Sequence, residues 1–113
     1  AEQAGRRYRQ LIALESGQAK AALQEEYGRF LTFSNQPAAA LTVLRQAVKS
    51  GNTQARRTLG LALLTQGKQT EAETELRAYL RQVPQDSEIK TLLGAMHGKG
   101  SYQIRQNTLS PVQ

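Results

Sequence analysis

The chain has few of the residues that metal and catalytic sites often use. It contains no cysteine, so it forms no disulfide and offers no thiolate to a metal ion. Its single histidine, His97, cannot build a multi-histidine metal site, and Asp86 is its single aspartate. We interpret the neighbouring acids Glu71 and Glu75 as solvated helix surface. We therefore expect no metal, no cofactor and no catalytic residues, and we expect that the protein is not an enzyme.

Long apolar segments are also absent from the sequence. No run approaches the roughly 20 apolar residues that are needed to cross a bilayer. Residues 1–9 lack the apolar core of a signal peptide. We therefore expect a soluble chain without a transmembrane segment, whose compartment, cytoplasmic or periplasmic, stays open.

Acidic residues are outnumbered, and the chain carries a net charge of +6. The excess is spread along the chain, and the densest basic cluster is Arg6, Arg7 and Arg9. Tyr8 lies within this cluster, but aromatic residues do not alternate regularly with the basic ones along the chain, as they do in many single-strand binding surfaces. A mild, even positive charge favours solubility and acidic partners and indicates nucleic acid only weakly.

A two-residue signature recurs at a nearly constant interval along the chain. A large apolar residue precedes a glycine in each copy, with intervals of 32 and 34 residues. The copies are Tyr27-Gly28, Leu59-Gly60 and Leu93-Gly94. Downstream, Ala40 and Leu44 recur 32 residues later as Ala72 and Leu76. A period in this range predicts stacked helical repeats.

Residues 53–86 form the clearest repeat. The spacing predicts a helix over 53–65, and Gly67 then provides a turn that needs positive φ. A second helix follows, with an apolar stripe at helical spacing, and Pro84 ends it. The stripe residues are Ala72, Leu76, Tyr79, Leu80 and Val83.

Residues 21–52 repeat this plan with different residues. Asn35 takes the place of Gly67, and Pro37 suits the first turn of the following helix. Half-repeats are predicted at 4–18 and 87–97. Gly98-Lys99-Gly100 lacks the spacing of a phosphate loop, and we interpret it as the end of the last helix. Residues 101–113 are predicted to form an irregular C-terminal tail.

These positions resemble the tetratricopeptide repeat family. The family motif places a large and a small residue together on the first helix, a small turn residue, and an alanine with a bulky residue four later on the second. The resemblance implies an all-α fold of antiparallel helix hairpins stacked as a right-handed solenoid over residues 1–100. The composition has a bacterial look, and the small number of repeats suggests a piece of a longer protein or a chain that self-associates.

The resemblance also implies a partner-binding groove along the first helices. The corresponding residues here are Glu25, Arg29, Phe33, Gln54, Arg57, Leu61, Leu64, Glu88 and Thr91. Leu61 and Leu64 either form an exposed apolar strip that marks a contact surface, or are covered by neighbouring helices or a second copy of the chain. The lysine and asparagine set with which some members clamp a peptide carboxylate is absent, so a chaperone-tail adaptor is not expected.

The function that follows is a non-enzymatic scaffold or adaptor that binds a partner peptide or helix. Bacterial pilus, secretion or envelope assembly is the expected setting. A nucleic-acid-binding helical repeat that uses the basic surface is the alternative. The tail, with apolar residues such as Tyr102 and Leu109, is a further candidate to occupy its own or a neighbour's groove.

Overall fold

The computed structural model describes the backbone of residues 2–103 and the side chains of residues 2–96. Within that range the chain is all-α and forms six helices without a strand. They are α1 (Glu2–Leu14), α2 (Gly17–Phe33), α3 (Pro37–Lys49), α4 (Thr53–Thr65), α5 (Gln69–Gln82) and α6 (Ser87–Gln103). The chain divides into two compact units, residues 1–79 and 80–113, with the boundary inside α5. The predicted grouping of residues 1–100 as one domain stays a prediction.

Two turns of the first unit have one geometry and different sequences. Asn35 has φ 60° and Gly67 has φ 75°, which confirms both predicted left-handed positions. The next residue in each case donates its backbone N–H to a carbonyl five residues back. Gln36 bonds Leu31 and Lys68 bonds Leu63, each at 2.9 Å. This arrangement satisfies carbonyls that a helix end leaves unpaired, so both first helices end at the same point of the repeat.

The helix starts are set by residues suited to unpaired N–H groups. Pro37 occupies the first turn of α3, where a missing N–H costs no helical bond. The Asn52 side chain accepts a hydrogen bond of 2.8 Å from the Ala55 amide and caps α4. In the second unit, Asp86 accepts a bond of 3.2 Å from the Ile89 amide at the start of α6.

Two glycines bring the paired helices of the first unit close together. A Cβ on Gly28 would overlap the side chain of Leu44, and a Cβ on Gly60 would lie 2.5 Å from Leu76 Cδ2. Both leucines are completely buried, so neither side chain has room to move aside. The glycines are therefore needed for close packing of α2 on α3 and of α4 on α5.

Aromatic residues pack α1 against α2. The Tyr8 ring stacks on Tyr27 with centroids 5.1 Å apart and lies 5.4 Å from Phe30. Arg9 Nη1 donates to the Tyr27 hydroxyl at 3.1 Å. Burial, reinforced by the carboxylate of Glu26, raises the pKa of Tyr8. These contacts give the first helix a partner although it is only half of a repeat.

The second unit departs from the sequence prediction at its end. Ile89, Leu93 and Met96 are buried, and Leu92 is half-buried. The helix does not end at residue 97, however: α6 continues through Gly98–Gly100 to Gln103. Glycine within a helix costs only about 1 kcal/mol relative to alanine, so this pattern does not force a helix to end. Residues 101–103 of the predicted tail thus belong to α6, and residues 104–113 lie outside the described part.

Candidate partner-binding groove

A groove of about 470 Å³ lies between α2 and α4, which are the first helices of the two repeats in the first unit. On α2 its lining residues are Glu25, Arg29, Thr32 and Phe33; on α4 they are Gln54, Arg57, Thr58, Leu61, Ala62 and Thr65. We call this set the groove. Helical periodicity explains why these residues line the groove together, because residues three or four apart share one face of a helix. The structure thus brings together six residues that the resemblance assigned to a binding surface.

Glu25 lies at the base of the groove rather than at its mouth. It is 6% exposed, and its Oε2 atom accepts a hydrogen bond of 2.6 Å from Thr58 Oγ1. The same oxygen accepts a bond of 2.9 Å from Arg29 Nε. The carboxylate therefore ties α2 to α4, and a buried carboxylate with charged and neutral donors is much better stabilised than an isolated one.

The apolar part of the groove lies at the other end of α2. Phe33, the last residue of that helix, is 87% exposed, although it is one of the largest apolar side chains in the protein. Leu61 is half-buried, and Ala62 is buried. An aromatic ring left in water at the edge of a cavity leaves apolar area that a partner can cover.

Leu64 is not one of the lining residues, and of the two alternatives for this residue the structure shows coverage by neighbouring helices. It is half-buried and packs with Val48 against the core cluster that contains Leu41 and Leu44. Three residues of α-helix correspond to about 300° of rotation, so Leu64 lies about 60° around α4 from Leu61, on the side of the α3 residues of the core cluster.

Two predicted site residues belong to the other unit. Glu88 and Thr91 are exposed on α6. The groove is formed within the first unit, from α2 and α4, and the role of these two residues stays a prediction.

Sequence reasoning missed four lining residues, of which Thr58 matters most because its hydroxyl bonds Glu25. The others are Thr32, Ala62 and Thr65. A signal for Thr58 exists: Gln54, Thr58, Leu61 and Thr65 follow each other at intervals of three or four along α4. The bond to a residue 33 positions away has no sequence signal.

Positive charge at the groove comes from Arg29 and Arg57, against the single carboxylate of Glu25. The Arg29 side chain is 54% exposed. Several other arginines of the first unit are held in ion pairs outside the groove, including Arg45 with Glu71 and Arg56 with Glu75, each at 3.1 Å.

Within the described residues, no group of three or more potential ligands is arranged to hold a metal ion. None of the helices in residues 2–103 is long and apolar enough to cross a bilayer.

Antiparallel helix pairs repeated at 32 residues, with a groove between their first helices, define a helical-repeat interaction protein. The family model of the tetratricopeptide repeat matches residues 33–87, which include α3, α4 and α5. Residues 33–87 are thus a tetratricopeptide repeat segment, and that family typically mediates protein–protein interaction without catalysis. No curated protein and no solved structure matches the chain significantly.

Proposed function

We propose that this protein is a scaffold or adaptor whose groove binds a short segment of a partner protein. The observation that carries the proposal is the exposed Phe33 ring beside Leu61, at the edge of a cavity of about 470 Å³. Complete burial of such a side chain contributes roughly 1.5–3 kcal/mol. Two anchors of this kind, surrounded by polar side chains, resemble the arrangement at protein interfaces, where a few residues supply most of the binding energy.

The partner segment should carry negative charge as well as an apolar side chain. The half-exposed Arg29 side chain lines the groove, and the whole chain is basic at +6. Complementary charge increases the association rate and suppresses the wrong partners more than it increases affinity. An acidic amphipathic segment therefore fits this surface better than a basic or uniformly polar one.

The setting we propose is bacterial pilus, secretion or envelope assembly. Support for it comes only from the Ala/Gln/Leu/Arg-rich composition and from the common use of such repeats in assembly processes. Glu88 and Thr91, exposed on α6, are proposed as additional partner contacts.

The test is affinity capture from the lysate and the envelope fraction of the source cell with wild type and Phe33→Ser as bait. Leu14→Ser is the matched control, because Leu14 is 81% exposed on α1 and is not one of the lining residues. A protein retained by wild type and Leu14→Ser but lost with Phe33→Ser is then purified and titrated against all three baits. An unchanged set of captured proteins with Phe33→Ser would show that the groove is not the binding surface.

The nucleic-acid alternative has less support, because Arg45 and Arg56 are neutralised by carboxylates of the same chain. Salt separates the two functions. Binding through phosphates falls about 10³–10⁵-fold between 50 and 200 mM salt when six to ten contacts are made. Anisotropy of a labelled single-stranded oligonucleotide at both salt concentrations measures this, and tight binding with a steep salt dependence would favour the alternative.

A further inference from the structure

The groove changes character along its length. Glu25, Arg29 and Phe33 follow each other at intervals of four residues on α2, so they form one line along the helix. The line begins with a buried acid, continues with a half-exposed arginine and ends with an exposed aromatic ring. One end of the groove is thus suited to charge, and the other to an apolar side chain.

Glu25 holds Arg29 in place at the charged end. Arg29 Nε donates to the buried carboxylate at 2.9 Å, and Thr58 fixes the same oxygen from α4 at 2.6 Å. A guanidinium carries five N–H donors, and four of them are on the two terminal nitrogens. Because the side chain is already oriented, a second carboxylate that binds these nitrogens orders fewer free rotamers.

The separation of Arg29 from Phe33 sets a distance that a partner must match. Four residues of α-helix rise about 6 Å. Two side chains four apart on a partner helix are separated by the same rise, and two side chains two apart on an extended segment are separated by about 6.6 Å. Both spacings place the two side chains on one face of the partner.

We infer, on the basis of the proposed function, that the groove selects a partner segment that pairs an aspartate or glutamate with a large apolar residue. The acid binds the terminal nitrogens of Arg29, and the apolar residue packs on Phe33 and Leu61. The two partner residues are four apart in a helical segment or two apart in an extended one. Glu25 and Thr58 are positioning residues, because they act through Arg29.

Selection of random twelve-residue peptides displayed on phage, with the full chain as target, tests the inference. Wild type should enrich peptides with an acid two or four positions from Leu, Ile, Met, Phe or Trp. Synthetic copies in which the acid is replaced by its amide should bind about tenfold more weakly, as expected for one lost charge-assisted hydrogen bond.

Variants of the protein show which groove residue binds the acidic side chain of the selected peptides. Arg29→Gln should abolish the tenfold preference for the acid and leave the requirement for an apolar residue unchanged. Arg29→Lys should retain part of the preference for the acid. Arg45→Gln is the matched control, because Arg45 forms an exposed ion pair with Glu71 and is not one of the lining residues. If Arg29→Gln fails to fold, Arg29→Lys and the acid-to-amide peptides still give the result.

The outcomes distinguish this inference from the proposed function. If no peptide binds wild type better than Phe33→Ser, the groove is not a peptide site and both fail. If apolar peptides are selected without an acid, or with acids at other spacings, the proposed function stands and the inference is wrong. A preference for the acid that survives Arg29→Gln would also overturn it.

Discussion

The two repeats of the first unit are alike where helices pack and different where the groove is lined. At an offset of 32 residues, the packing pairs are Gly28 and Gly60, Ala40 and Ala72, and Leu44 and Leu76. At the same offset, the groove residues Glu25, Arg29 and Phe33 correspond to Arg57, Leu61 and Thr65. The comparison shows which residues serve the repeat architecture and which residues make this groove individual.

A physical difference explains the contrast. A packing residue must fit a neighbouring helix at crystal-like density, and the same hairpin presents the same neighbour in each repeat. Groove residues such as Arg29 and Phe33 face solvent, so their volume is free to vary. The charge at one groove position even reverses between the repeats, from Glu25 to Arg57.

The largest effect should come from the leucines that cover the glycines. Leu44→Ala and Leu76→Ala each remove a completely buried side chain, so each should lower the free energy of unfolding by about 2–5 kcal/mol. Urea unfolding measures both. A loss below about 1 kcal/mol at one position would show that the two repeats do not share this packing.

Smaller losses are expected when the glycines are filled. Gly28→Ala and Gly60→Ala should each destabilise by about 1–3 kcal/mol, because the new methyl group overlaps a buried leucine. Gly94 is the matched control: it is exposed on α6, and a Cβ there meets no atom within 4 Å. Gly94→Ala should stabilise by up to about 1 kcal/mol through helix propensity. Equal effects at all three positions in thermal melts would refute the packing role.

The bond between the helices at the groove base should have a moderate effect. Thr58→Val removes the hydroxyl that donates to buried Glu25, and the expected cost is about 1–2 kcal/mol. Thr74→Val is the control, because the Thr74 hydroxyl bonds only the exposed Thr70 carbonyl of its own helix, at 3.1 Å. That variant should change stability by less than about 0.5 kcal/mol. Similar denaturation midpoints for the two variants would remove Thr58 as a structural link.

Phe33→Ser should have the smallest effect on stability, within about 0.5 kcal/mol of wild type, because the ring is 87% exposed. Its effect on partner binding should be large under the proposed function. A thermal melt in parallel with the titration separates the two quantities. A loss of more than about 1 kcal/mol would mean that Phe33 belongs to the core.

Most of the helical plan could be predicted because its signals are local. Helix α4 has the predicted bounds, and the turns at Asn35 and Gly67 are left-handed as expected. A turn residue with positive φ and an apolar stripe at helical spacing each involve only a short stretch of sequence. One repeat is therefore enough to recognise both signals. The predicted end of α6 at residue 97 was wrong, because Gly98 and Gly100 weaken the helix without ending it.

By itself, the sequence determined the period, the helix pairs and the two glycines that allow close packing, since these depend on spacing and on the size of one side chain. The tertiary structure decided where Glu25 and Leu64 lie: one is buried under Arg29 and Thr58, and the other is turned into the core beside Val48. Both outcomes depend on atoms brought together from distant parts of the chain. A local pattern shows which face of a helix a residue occupies, and the neighbouring helix decides whether that face meets protein or water.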